Sequence, residues 1–230
     1  AQPDHGKLSN PRSSIARASN KSLDLIKLNA DFSSGLSIPF AQHRLLNQRS
    51  LTFEAWYKHD SSASGNILSY TYKGKNALSL QVENGRATAK ADLASGSSLV
   101  ELQLPQNIAD GNWHHLAAVR DFDTGTLRLV LDGVMQKEAF VPAGDSFVDN
   151  SYDIARTADM DATLVLGDGT LTGLLDEVRI WGRARQISEI GGEQMRLASD
   201  SQAVALLAYY RFDDGGKSIE DFCKPFPGLQ

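Results

Sequence analysis

Two adjacent carboxylates, Asp176 and Glu177, interrupt the apolar run GLLDEVRIW from Gly173 to Trp181. On strict strand alternation Leu174, Asp176, Val178 and Ile180 share one face, while Leu175, Glu177, Arg179 and Trp181 share the other. Asp176 is then expected to point inward with the aliphatics, where a carboxylate must accept hydrogen bonds, pair with a cation or bind a metal. Calcium is the one cofactor with a physical case, because it takes carboxylate and carbonyl oxygens of the kind that strand-connecting loops supply. Asp176 is the first candidate ligand, Asp213 in YYRFDD the second and Asp31 the third. Backbone N–H donors, or pairing with Arg179 or Arg183, would satisfy Asp176 equally well. Adjacent strand residues face opposite ways, so Asp176 and Glu177 cannot flank one glycosidic bond as a catalytic pair.

Aromatic side chains on polar faces suggest recognition rather than catalysis. Sugars lay their apolar faces on Trp and Tyr rings while neighbouring Asp, Asn and Arg fix the hydroxyls. Trp56, Tyr70 and Tyr72 are candidate ligand-binding residues of this kind, and Phe147, Tyr152 and Asp153 could line a rim in an acidic loop. Packing beneath a loop or along a sheet edge is the alternative for each; Trp113 and Trp181 are assigned to the core. His114 and His115 are neighbours in a strand, so their imidazoles point apart and a shared metal is not expected. The single cysteine, Cys223, excludes an internal disulfide and a cysteine-based metal cluster. The sequence has no nucleophile elbow, phosphate-cradling glycine loop or zinc spacing.

The elements that must position these residues are strands. The 230 residues are 41% hydrophobic, enough for a substantial core. Strand patterns run from Ser22 to Trp181 with turn signals between them, notably Asn84-Gly85 and Asp132-Gly133. One face of the strand SLTFEAWYKH carries Leu51, Phe53, Ala55 and Tyr57; Trp113, His115, Ala117 and Val119 are expected to pack near Leu127, Leu129 and Leu131. Pro142 to Ala162 reads as a long acidic loop, and loops of that length inside a domain are often functional. A helix of one or two turns is expected after Trp181, and Val204 to Phe212 reads as a last strand.

These patterns divide the chain into an extended arm or linker at 1–21, one domain at 22–215 and a tail or linker to a further domain at 216–230. The net charge of -5, without a block of like charge, argues against nucleic acid and anionic membrane surfaces. No apolar run approaches the length of a membrane span, so membrane insertion is not expected.

Taken in order, SLTFEAWYK, NWHHLAAVRD, TLRLVLDGV, TLVLGDG, GLLDEVRIWGRARQISEI and LLAYYRFDDG resemble the laminin-G-like, concanavalin-A-like jelly-roll domains, a group related to the pentraxins. The resemblance implies an all-β fold, a two-sheet antiparallel sandwich with one short C-terminal helix, and a concave face that often binds carbohydrate or protein. It also implies calcium in many members, an extracellular or cell-surface location, and tethering to other domains of a longer chain. The pentraxin double-calcium ligands do not carry over, because the connection before the DEVRIW strand is here the short GDGTLTG. The two-carboxylate strand of the jelly-roll glucanases is also missing, so no enzyme is expected. Two readings follow: a non-catalytic module binding carbohydrate or glycoprotein, and a structural or adhesive repeat that contacts other proteins.

Overall fold

The computed structural model of the chain describes residues 22–25, 34–38, 48–96, 98–150, 162–192, 205–212 and 221. In chain order these residues form β1 (Leu23–Asp24), β2 (Leu36–Ile38), β3 (Leu51–Lys58), β4 (Gly65–Tyr72), β5 (Lys75–Glu83), β6 (Arg86–Asp92) and β7 (Leu99–Gln103). They continue with β8 (Trp113–Asp121), β9 (Thr126–Leu131), β10 (Val134–Phe140), β11 (Ala162–Leu166), β12 (Leu174–Trp181), helix α1 (Ile187–Gly192) and β13 (Leu206–Tyr210). The first sheet has the order β1-β12-β3-β8-β9-β10, and β13 also pairs with β12. The second has the order β2-β11-β4-β5-β6-β7, and neighbouring strands in both sheets are antiparallel. Among the described residues, the expected all-β sandwich with one short helix is therefore the observed fold.

Hairpin chemistry explains much of this connectivity. Asn84-Gly85 and Asp132-Gly133 both have positive φ at each central residue, at 50° and 74° and at 50° and 80°. That twist is the one two-residue hairpins require, and Asn, Asp and Gly tolerate it best. The main core lies between the sheets, where Phe53, Ala55, Tyr57, Leu116 and Leu129 meet Leu68, Leu78, Leu80 and Ala89.

The outer face of the first sheet is also covered. Ala117, Val119 and Val130 form a second apolar cluster with Ile190 of α1, whereas Leu127, Leu129 and Leu131 belong to the core between the sheets. The expected packing of Ala117 and Val119 near those leucines is thus corrected. Strand β8 is apolar on both faces because both are buried, so alternation could not tell them apart. Trp113 is half-buried at the start of β8, while Trp181 is buried in a small outer cluster with Leu206 and Tyr209.

Arg120 of β8 lies between the sheets and is fully buried. Its guanidinium donates to Ala77 O at 2.8 Å, Arg49 O at 2.6 Å, Val148 O at 3.4 Å and Asn150 Oδ1. Asn150 in turn donates to Gln48 O at 2.8 Å. Burial lowers the Arg120 pKa to about 10, because these acceptors are dipoles rather than ions. This clasp ties β5 and the residues before β3 to the base of the acidic loop, whose residues 151–161 lie outside the described residues. The tail expected at 216–230 contributes one described residue, Asp221, which bridges Tyr210 and accepts from Tyr209 N at 2.9 Å.

Candidate binding surfaces

Strand β12 departs from simple alternation. Asp176 is opposite Trp56 and Arg179 is opposite Glu54, so β12 carries one residue more than β3 between these pairs. Glu177 has a φ of 50°, which places this bulge in the left-handed region. As a result Leu175, Val178 and Ile180 all belong to the inner core. Asp176 shares the outward side of β3 with Trp56, which corrects its expected inward orientation. Asp176 is still fully buried, and its Oδ1 accepts from Glu177 N at 2.8 Å.

The same outer face holds a buried ionic cluster built from β3, β8, β12, β13 and the segment after β12. Glu54 and Arg185 are both fully buried, with Arg185 NH1 donating to Glu54 Oε1 at 2.6 Å. His115 Nε2 is 3.3 Å from Glu54 Oε2. Burial alone would raise the Glu54 carboxyl, but the hydrogen bond and charge of His115, with the charges of Arg185 and Arg179, bring it down to about 2. Beside this, Arg179 NH2 donates to Glu177 Oε2 at 2.9 Å, and Tyr209 Oη donates to the same oxygen.

This cluster fastens the chain after β12 onto the sheet. Thr52 Oγ1 donates to Arg183 O at 2.8 Å and accepts from Arg185 N at 3.0 Å. The Arg185 guanidinium lies 4.1 Å from the Trp181 ring centroid. Arg183 makes a bidentate pair with Glu189 at 2.8 and 2.7 Å. Glu189 also accepts from Gln186 N at 2.8 Å, the return bond of a capping box. The outer face of the first sheet is occupied by these contacts and α1.

The aromatic candidates are placed differently from expectation. Trp56 is 1% exposed and packs against His115, their ring centroids 5.3 Å apart. Tyr70, Tyr72 and Phe147 are buried members of the core between the sheets. Tyr70 and Tyr72 share the inward side of β4 with Leu68, where their size fills the space between sheets. None of these four rings is open for sugar stacking. Tyr152 and Asp153 lie outside the described residues.

A polar surface that the sequence reading did not single out covers the outer face of the second sheet. Ser69, Ser79, Lys90 and Glu101 stand opposite one another across β4, β5, β6 and β7, and Asn66, Gln81, Thr88 and Gln103 form a second row. Lys90 Nζ is 2.6 Å from Glu83 Oε1 and 3.5 Å from Glu101 Oε2. Gln81 and Gln103 donate to Glu83 at 3.2 and 3.3 Å, and Gln103 also donates to Thr88 Oγ1 at 3.3 Å. The signal was present in the alternation of Ser79, Gln81 and Glu83 with Leu78, Leu80 and Val82, and of Thr88 and Lys90 with Ala87, Ala89 and Ala91.

Among the described residues no group of three His, Cys, Asp or Glu side chains is placed to hold a metal ion. Around Asp176 the neighbouring strand positions carry the Glu54–Arg185–His115 cluster, whose cations compensate the buried carboxylate of Glu54. That environment does not fit calcium, which needs several convergent oxygens. Asp31 and Asp213 lie outside the described residues. In the GDG turn, Asp168 instead acts as a loop organiser: its carboxylate accepts from Asn66 N at 2.7 Å, Thr170 Oγ1 at 2.7 Å, Thr170 N at 3.0 Å and Leu171 N at 3.2 Å.

The sequence matches the family described as the concanavalin A-like lectin/glucanases superfamily over residues 32–191. The chain belongs to this superfamily. Among solved structures, a candidate carbohydrate binding protein from Bacteroides ovatus is 19% identical with a TM-score of 0.53, the match covering 75% of this chain and 47% of that one. The native heptameric SAP-like pentraxin of Limulus polyphemus is 15% identical with a TM-score of 0.44, over 62% of this chain and 68% of that one. Domains LG4-5 of the mouse laminin alpha1 chain are 16% identical with a TM-score of 0.45, over 67% and 40%. The likeness to the Bacteroides protein is one of fold, and the chain spans about half of that protein's length. A comparison with curated proteins found no match. As a concanavalin A-like domain the chain has two unlike outer faces, one closed by α1 and the buried ion pairs, the other polar.

Proposed function

We propose that this domain is a non-catalytic module that binds carbohydrate or glycoconjugate within a larger extracellular or cell-surface protein. The observation that carries the reading is the polar outer face of the second sheet, where Lys90, Gln81 and Gln103 are held in place by Glu83 and Thr88. Side chains fixed before a ligand arrives lose little freedom on binding, and amide, ammonium and carboxylate groups suit a hydroxyl-rich ligand. Family membership, and the fold shared with the Bacteroides ovatus protein, support the same reading. The non-catalytic part of the reading rests on the sequence, which lacks the two-carboxylate strand of the jelly-roll glucanases.

The test is a glycan array in calcium-containing buffer with the wild-type domain and a Lys90→Ala/Gln103→Ala variant. Binding by the wild type that the variant loses supports the proposal, and a blank array for the wild type counts against it. A second reading, contact with another protein, draws on Val134, Met135 and Phe140, which are 56%, 42% and 66% exposed on edge strand β10.

A further inference from the structure

We propose that His114 is a pH-dependent latch joining the loop before β8 to the β9–β10 turn. The imidazole of His114 lies between two carboxylates, with Nδ1 2.9 Å from Asp132 Oδ2 and Nε2 3.2 Å from Asp110 Oδ1. Carboxylate oxygens only accept, and a neutral imidazole has a single N–H. Both contacts are therefore hydrogen bonds only when the ring is the doubly protonated imidazolium, and loss of the proton removes one of them.

The two partners are not equally secured. Asp132 is fixed independently of the ring, since its Oδ1 accepts from His115 N at 2.8 Å and its own N–H donates to His115 O at 2.8 Å. Asp110 belongs to the loop from Pro105 to Asn112, and its further bonds come from within that loop: Asn112 N donates at 2.8 Å to the oxygen that His114 contacts, and the Asn112 side chain bonds the same carboxylate. Deprotonation therefore releases the longer contact, to Asp110. The loop then keeps Ile108 N to Gly85 O and Gly111 N to His59 O, both 2.8 Å, so the loosening is confined to the Asp110 side chain and the stretch between these two anchors.

Among the described residues, the other charged or titratable groups around His114 and its loop include His59, whose ring stacks on that of Tyr57, and Asp60, beside Gly111. Tyr57 stands directly opposite on β3, with its hydroxyl donating to Thr172 O, and Lys58 is opposite Trp113. His115 turns to the other face, towards Glu54. Burial lowers the tendency of His114 to hold a proton, but the hydrogen bonds and charges of Asp132 and Asp110 outweigh it, so its pKa is raised. A raised folded-state value means that the latch is complete below the ordinary histidine range and opens as pH rises through the folded-state pKa.

The test follows the His114 ring resonances by NMR from pH 5 to 9 in the intact domain, together with amide-exchange protection of Gly111 and Asn112 corrected for intrinsic base catalysis. The expected result is a His114 midpoint above that of an ordinary histidine, with Asn112 protection falling through the same midpoint. Asp110→Asn, which keeps an acceptor for Asn112 N, should shift the midpoint down and uncouple protection from pH. Asp132→Asn should also lower the midpoint, and a thermal melt of each variant verifies folding. A midpoint at or below the ordinary histidine value, or protection that stays flat through the titration, overturns the latch.

Discussion

Replacing Glu54 by Gln tests the buried ion cluster on the first sheet. The substitution keeps the size of the side chain but leaves the Arg185 guanidinium without its buried counter-charge, while Arg179 on the next strand keeps its pair with Glu177. The Glu54 pKa falls from 4.5 to about 2 on folding. At about 1.4 kcal/mol per unit, that amounts to about 3 kcal/mol of stability at neutral pH. Breaking one side of a buried pair typically costs about 3 to 5 kcal/mol, so the two routes agree. For a domain of this size the melting temperature should fall by about 10 °C.

The sign of the pH dependence follows from the lowered pKa. The contribution is complete above about pH 5 and is lost as pH falls towards about 2, so less than half of the gap between wild type and Glu54→Gln should remain at pH 3. Urea unfolding of both proteins at pH 7 and pH 3 measures this directly. A gap below about 1 kcal/mol at pH 7, or one of equal size at both pH values, would refute the electrostatic account. The pair Glu54→Leu/Arg185→Met should be less destabilised than the sum of its single changes, because it removes both buried charges together.

Arg120→Met leaves Ala77 O, Arg49 O and Asn150 Oδ1 without their donor and should cost about 3 to 5 kcal/mol in denaturant unfolding. Gly173→Ala would place a Cβ 2.6 Å from Lys58 O at a φ of 119°, and a loss of about 2 kcal/mol or more is expected in the same assay. Any response of the melting temperature to calcium or a chelator should be the same in wild type and Asp176→Asn, because Asp176 lies beside an ion cluster rather than among convergent oxygens; a calcium-dependent rise that Asp176→Asn abolishes would make Asp176 a ligand.

The strands were legible because turn residues and period-two patterns mark them clearly: SLTFEAWYKH exceeds β3 by one residue at each end, and the stretch from Val204 to Phe212 contains β13. The short helix was also visible, although the cap that Glu189 supplies emerges only with Gln186 N in place. The side-chain environments were harder to read. Alternation identifies two faces but not whether each is covered, and β8 is buried on both. Trp56 therefore looked like a surface ring, and Glu54 carried no mark distinguishing it from an exposed strand glutamate. Its partner, Arg185, is 131 residues away, and only the tertiary fold brings them together. The polar rows on the second sheet were readable strand by strand, but their alignment depends on a register that no single strand encodes.

The extra residue at Asp176–Glu177 acts as a phase shift in the longest-recognised segment of the chain. Before it, odd-numbered residues such as Leu175 face the core; after it, even-numbered ones such as Val178 and Ile180 do. Two halves of opposite parity thus meet in one strand, and the junction falls between the β1 pairings at Leu174 and Leu175 and the β13 pairings from Val178 onward. Shortening β12 by one residue here would evert one half, turning either Leu175 or the Val178 and Ile180 pair onto the outer face that the buried ions occupy. Sequence length at this point is consequently as constrained as sequence identity, and an insertion or deletion in the DEVRIW strand of this chain is a geometric change even when every remaining residue is the same.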